Sequence, residues 1–222
     1  MKKILIFYGS YGGGHFSAAR NIKEYIETNY SETEILLVDC VEYINKALNK
    51  VSTKTYAELS TNAQWLWKQL YESSQKERGA FSKISNTANK IMAKKLNKLI
   101  QEFNPNAIIS TFPFSSQMCA ILKKKHKITC KLATVLTDYA PHREWLIHNE
   151  FVDYFFVAHE GMKTNLMDFG VCESKIFITG IPLSNRFLLH YDKDKVLQEF
   201  GLAKNKKTIL FFAGRRIWAW ER

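Results

Sequence analysis

Long apolar runs are the first thing missing: no stretch of the 222 residues is apolar over enough length to span a bilayer. A secretory leader is missing too. Met-Lys-Lys-Ile-Leu-Ile-Phe-Tyr at 1–8 begins like one, but the apolar stretch is short and runs into glycines. It reads as a buried strand, which places the protein in the cytoplasm. Cysteine is sparse: Cys40, Cys119, Cys130 and Cys172 form no C-x-x-C pair and have no histidine at metal-ligand spacing. That argues against a zinc module or a disulfide framework, and leaves reduced, mostly buried thiols and no metal. Acidic residues are in deficit, 21 against 32 basic ones, for a net charge of +11. Such a surface attracts nucleic acid, an anionic membrane or a phosphorylated substrate. No zinc-finger or RNP signature accompanies the charge, so nucleic acid is not an expected partner.

What is present suffices for a packed core, with 46% hydrophobic and 14% aromatic residues. Short β-rich runs at Ile4–Tyr8, Ile35–Asp39, Ala107–Thr111, Leu132–Thr137, Tyr154–Ala158 and Ile176–Thr179 alternate with helical stretches. Most are continuous apolar runs, as parallel strands buried on both faces require. The expected class is α/β, with a Rossmann-like, doubly wound parallel sheet. Before the third strand, Ile84, Ala88, Ile91, Met92, Leu96, Leu99, Ile100 and Phe103 form one helical face, and Asn104-Pro105 ends it.

The stretch 41–83 is too long for a simple crossover and carries Tyr43, Tyr56, Trp65, Trp67 and Tyr71 among lysines. Aromatics mixed with lysine suit a membrane interface; packing of the same rings is the other reading. After Thr179-Gly180-Ile181-Pro182 the pattern changes. A charged helix at Asp192–Phe200, a basic loop and a strand at Thr208–Ala213 look like the start of a second domain. The expected division is 1–190, then 191–214, then a tail at 215–222.

The first strand runs into Gly9-Ser10-Tyr11-Gly12-Gly13-Gly14-His15, followed by a helix. Such turns bring backbone N–H groups and a helix N-terminus toward negative charge. The glycines do not fit the dinucleotide spacing G-x-G-x-x-G, and His15-Phe16 follows Gly14 where a P-loop has Lys-Ser/Thr. What remains is a histidine at the carboxyl edge of the sheet, where open α/β folds hold ligands. The fourth strand ends in Thr137-Asp138-Tyr139-Ala140-Pro141-His142-Arg143-Glu144-Trp145. Asp138 either orients and polarises His15, as a carboxylate does for a base histidine, or caps the segment that follows.

Taken together, G-x-x-G-G-G-H at 9–15, the Tyr56…Trp67…Tyr71 insertion, T-D-x-x-x-H-x-x-W at 137–145 and T-G-I-P at 179–182 resemble a family. It is that of the monogalactosyldiacylglycerol synthases and processive diacylglycerol glucosyltransferases. The resemblance runs from Lys2 to Gly214 and implies the N-terminal, acceptor-binding half of a GT-B fold. It implies a UDP-sugar donor, diacylglycerol as acceptor, inversion at the anomeric carbon, and neither metal nor cofactor. His15 would be the general base, with Asp138 beside it. Gly12, Gly13, Gly14, His142 and Trp145 would shape the acceptor side. Trp65, Trp67 and Tyr71 would meet an anionic membrane surface on the inner face of the cell membrane. A sugar-nucleotide epimerase of similar architecture and a non-catalytic membrane- or nucleic-acid-binding module are the alternatives. The aromatic insertion and the 137–145 block argue against the epimerase.

One feature departs from the family. A glycine-rich turn, G-G-G-E-F/Y-G-x-G, should follow the strand at 208–213, yet the sequence reads Gly214-Arg215-Arg216-Ile217-Trp218-Ala219-Trp220-Glu221-Arg222. Tryptophan has the single codon TGG, and alanine and glutamate codons begin with G. Read one base later, Trp218-Ala219 and Trp220-Glu221 each yield GGG, a glycine. With common codons for the rest, the shifted frame gives Glu-Phe-Gly-Leu-Gly-Lys. The expectation is a frameshift just after Gly214, and no transferase activity from this chain alone, since the donor site of a GT-B enzyme lies mainly in its other half.

Overall fold

Six short strands, all parallel, form one sheet in the order β2-β1-β3-β4-β5-β6. They are β1 (Lys2–Tyr8), β2 (Thr33–Asp39), β3 (Ala107–Ser110), β4 (Lys131–Val135), β5 (Tyr154–Val157) and β6 (Ile176–Ile178). The computed structural model describes residues 1–10, 13–44 and 93–209. The chain divides into two units, Met1–Asn185 and a second opening at Arg186. The sheet belongs to the first. From β1 the chain steps one way to β2, and β3 lies on the other side of β1. The crevice between the carboxyl ends of β1 and β3 is therefore a topological switch point.

The helices of this unit are α1 (Gly14–Asn29), α2 (Cys40–Ile44), α3 (described over 93–103), α4 (Pro113–Lys124) and α5 (Glu160–Asp168). Strand side chains alternate between faces. Leu5, Phe7, Ile108, Leu132, Phe155 and Val157 point into one cluster with Leu96 and Ile100 of α3 and Met118, Cys119 and Ile121 of α4. Each large side chain buried there is worth about 1.5–3 kcal/mol relative to exposure. Ile6 faces the other way and is fully buried, as are Ala18 and Ala19 of α1, which packs on β1 and β2. Helix α4 starts at Pro113, where a missing N–H costs nothing, and ends in Lys123 and Lys124, which suit the negative end of its dipole.

A carboxylate ties the strands at the amino edge. Asp153 accepts from the Leu132 N–H at 2.8 Å, pairs with Lys123, and lies 3.5 Å from the Lys131 ammonium. Burial pushes its carboxyl up, but the Lys123 bond, the Leu132 N–H and both lysine charges outweigh this and hold it below the usual carboxylate range.

Strand β4 stops at Val135, two residues short of the expected Thr137. Leu136 still donates to the Phe156 carbonyl at 2.9 Å, and Thr137 then leaves the ladder toward the site. The exit after β6 turns at Gly180, whose φ of +77° suits glycine. Pro182 is tied back to α1 by the Asn21 amide, 3.0 Å from its carbonyl. In the second unit α6 (Lys193–Glu199) is capped by Asp192, which accepts from the Asp194 and Lys195 N–H groups. Thr208 and Ile209 are not in a strand, and the rest of the expected strand lies outside the described residues, as do the 215–222 tail and the greater part of 41–83. Cys40 and Cys119 are buried, Cys130 half-buried and Cys172 exposed, all four as free thiols. No helix among the described residues is long and apolar enough to cross a membrane.

Candidate active site at the carboxyl edge of the sheet

Phe7 of β1 stands opposite Ser110 of β3, and Ser110 opposite Thr134 of β4. The three strand ends are level, and the residues just beyond them meet. Gly9 is required by that meeting: a Cβ there would lie 2.8–2.9 Å from the Phe112 ring. Ser10 bonds the Asp39 carboxylate, whose other oxygen accepts from the Val41 and Glu42 N–H groups at 3.0 and 3.1 Å and so caps α2. Gly13 and Gly14 are exposed, and a Cβ on either would meet nothing within 4 Å. Among the described residues no side chain caps α1, so none of them takes up the backbone N–H groups of its first turn beside His15.

His15 is the centre of the cluster. Its Nδ1 lies 2.6 Å from the Thr111 carbonyl oxygen and 2.7 Å from the Thr137 hydroxyl. The ring packs edge-on against Phe112, centroids 5.1 Å apart, and 6.2 Å from Trp145. Thr111 also holds the backbone. Its hydroxyl donates to the His15 carbonyl at 2.9 Å, and its N–H donates to the Phe7 carbonyl at 3.0 Å. Burial pulls the imidazole below its ordinary value; the Asp138 charge and the Thr111 carbonyl oppose this, and His142 adds to it. The net direction is downward, which favours the neutral ring.

Asp138 acts on His15 through its charge and not through a hydrogen bond. Among the described residues it makes no hydrogen bond to His15 and caps no helix. Its Oδ2 accepts from the Trp145 indole at 2.6 Å and lies 3.3 Å from His142 Nε2. Burial pushes this carboxyl up, but the bonds from His142 and Trp145, with the charges of His142 and His15, carry it below the usual range. Its link to His15 is the field of its charge. Trp145 itself is buried in a 3₁₀ turn (Arg143–Trp145), which Gln117 of α4 anchors through the Glu144 carbonyl at 2.7 Å and carboxylate at 2.9 Å.

Of the residues singled out from sequence, the structure brings together His15, Asp138, His142 and Trp145, with Gly13 and Gly14 at the mouth. Gly12, Trp65, Trp67 and Tyr71 lie outside the described residues. Sequence reasoning passed over Thr111, Phe112 and Gln117, and gave Thr137 no role. A hydroxyl residue ending each of two adjacent strands is the signal that could have found the threonines. Among the described residues no group of three metal-ligating side chains converges.

The comparisons with known proteins agree on what kind of chain this is. Two relatives are processive diacylglycerol beta-glucosyltransferases, from Bacillus cereus (strain G9842) and Bacillus thuringiensis (strain Al Hakam). Each is 30% identical over 212 residues, covering 96% of this chain and 53% of the relative. The chain thus spans about half the length of the curated relatives it matches. Among solved structures, the MnaA–UDP complex of S. aureus superposes with a TM-score of 0.51 at 12% identity, over 94% of this chain and 50% of that one. That likeness is one of fold. The model of the family described as monogalactosyldiacylglycerol (MGDG) synthase matches residues 15–183, a span that opens on His15 and takes in every residue of the cluster except Gly9, Ser10, Gly13 and Gly14. With that match and those relatives, the chain belongs to the monogalactosyldiacylglycerol synthase family.

Proposed function

We propose that this chain is the acceptor-side half of an inverting transferase that moves a hexose from a UDP-sugar onto diacylglycerol. The observation that carries the reading is His15: a half-buried imidazole, held by Thr111 and Thr137 just beyond two strand ends, in the first turn of α1. The relatives named as diacylglycerol beta-glucosyltransferases supply the substrate class.

The step follows from these parts. The imidazole removes the proton of the acceptor hydroxyl, and the oxygen's electron pair forms the new bond at the anomeric carbon. UDP departs with the pair of the broken bond, and the centre inverts. The imidazolium that forms sits in the field of Asp138, which stabilises it without a proton moving to the carboxylate. No metal and no cofactor enters these steps. Gly12, Gly13, Gly14, His142 and Trp145 shape the acceptor side. The UDP-sugar belongs to a second half, for which the extra length of the relatives leaves room. We place the acceptor domain at 1–190, the beginning of the donor domain at 191–214, and a shifted frame at 215–222.

The acceptor lipid does not leave a bilayer cheaply, so the enzyme works as a peripheral protein on the inner face of the membrane. Trp65, Trp67 and Tyr71 enter the interface, and neighbouring lysines contribute about 1 kcal/mol each at an anionic surface. In a version of the protein that carries a donor half, His15→Ala is expected to lower transfer by about 10²–10⁴-fold while the chain still folds. Wild-type turnover in that variant removes His15 from the chemistry.

A further inference from the structure

Two oxygens converge on one nitrogen of His15, and they are not equivalent. The Thr111 carbonyl at 2.6 Å can only accept, whereas the Thr137 hydroxyl at 2.7 Å can accept or donate. If the neutral ring carried its proton on Nε2, the Nδ1 lone pair would face the carbonyl lone pairs at 2.6 Å. That contact is repulsive and leaves the carbonyl oxygen of a buried residue without this donor. A proton on Nδ1 turns the same contact into a hydrogen bond and lets the Thr137 oxygen accept as a second partner.

We infer that Thr111 and Thr137 are positioning residues which hold the proton of His15 on Nδ1 and so make Nε2 the atom that takes the acceptor's proton. This rests on the reading of His15 as the base and adds which atom does the work and what selects it. The clamp is over-determined. The Thr111 hydroxyl holds the His15 carbonyl at 2.9 Å, and the ring is boxed by Phe112 and Trp145. Protonation at Nε2 then leaves both Nδ1 contacts in place, since imidazolium donates from Nδ1 just as this neutral form does. The ring gains a proton without turning, so no hydrogen bond has to be remade during transfer. The two contacts are stronger in the charged form, so Thr137 also counters the effect of burial on the imidazole.

The test needs no donor half. The 222-residue chain, labelled with nitrogen-15 in its imidazoles, is titrated from above to below the ordinary imidazole value. Long-range proton–nitrogen correlations report which ring nitrogen is protonated, and the signals are assigned by their loss in His15→Gln. The expected result is a neutral ring protonated on Nδ1. In Thr137→Val, a change that keeps shape and loses the hydroxyl, the midpoint falls by about half a unit, and Thr137→Ser restores it. A wild-type ring protonated on Nε2 overturns the inference by itself, whatever the variants do. An unmoved midpoint in Thr137→Val removes Thr137 from it. If the Nδ1 proton is found but His15→Ala in the donor-bearing version turns over like wild type, the base reading fails while the assignment of the proton stands.

Discussion

Asp138 and Asp153 lie at opposite ends of neighbouring strands, one beyond the carboxyl end of β4 and one just before β5. Both carboxyls are held below their usual range, and in both cases hydrogen bonds overcome burial. The partners differ. Asp153 is gripped by two lysines and a backbone N–H, and its side chain is 21% exposed. Asp138 is bonded to an indole, stands beside His142, acts on His15 through its charge, and is 39% exposed. A depressed carboxyl therefore does not mark function. What separates the two is a histidine within the field of the Asp138 charge and the greater exposure of that side chain.

Neutralising each carboxylate in turn should separate the roles. In a donor-bearing version, Asp138→Asn is expected to lower transfer by roughly ten- to a hundredfold and to move the acid limb of its pH profile to lower pH. The loss of the charge that raises the His15 value sets that direction. A profile that shifts upward would contradict the assignment. Asp153→Ala is expected to leave turnover per folded molecule unchanged while costing about 1–2 kcal/mol in urea unfolding, because Lys123 and the Leu132 N–H lose their acceptor. Equal losses of turnover at the two aspartates would erase the distinction.

Acid titration of stability gives the smallest effect and the finest comparison. The folded value of His15 lies below the unfolded value of about 6.5. Above that pH the ring is neutral in both states. As pH falls toward the folded value, the unfolded chain binds the proton first and stability drops. The two aspartates act in a lower window: their contribution is full above about pH 3.9 and is lost as pH falls through their folded values. The stability difference between wild type and His15→Gln is therefore expected to be constant above about pH 6.5 and to move against the wild type by a few tenths of a kcal/mol in the interval below. A difference that stays constant through that interval would show that the fold does not disfavour the charged ring.

Much of this was legible in the chain. Buried parallel strands must be apolar on both faces, so the runs containing Leu5, Ile6 and Phe7, or Phe155 and Val157, announced themselves, and the α/β class followed from their alternation with helices. His15 was legible because a histidine after a glycine-rich strand end has few structural uses. The limits of β4 were not. Leu136 keeps a ladder bond and Thr137 does not, and the difference lies in where a neighbouring strand has its last free carbonyl. Nor was the partner of His15, because a carboxylate seven residues before a tryptophan looks the same whether it turns toward the histidine or toward the indole.

By itself the sequence determined the set of elements, the approximate ends of most strands, the histidine and the family. These depend on local periodicity and on motifs a few residues long, which the chain carries wherever it goes. Only the tertiary structure decided that β3 lies beside β1, that Thr111 and Thr137 both reach Nδ1 of His15, and that Asp138 gives its oxygen to Trp145. The two threonine contacts join residues 96 and 122 positions apart. Pairings at that range are set by which strand ends stand level in the sheet, and spacing along the chain carries no trace of it.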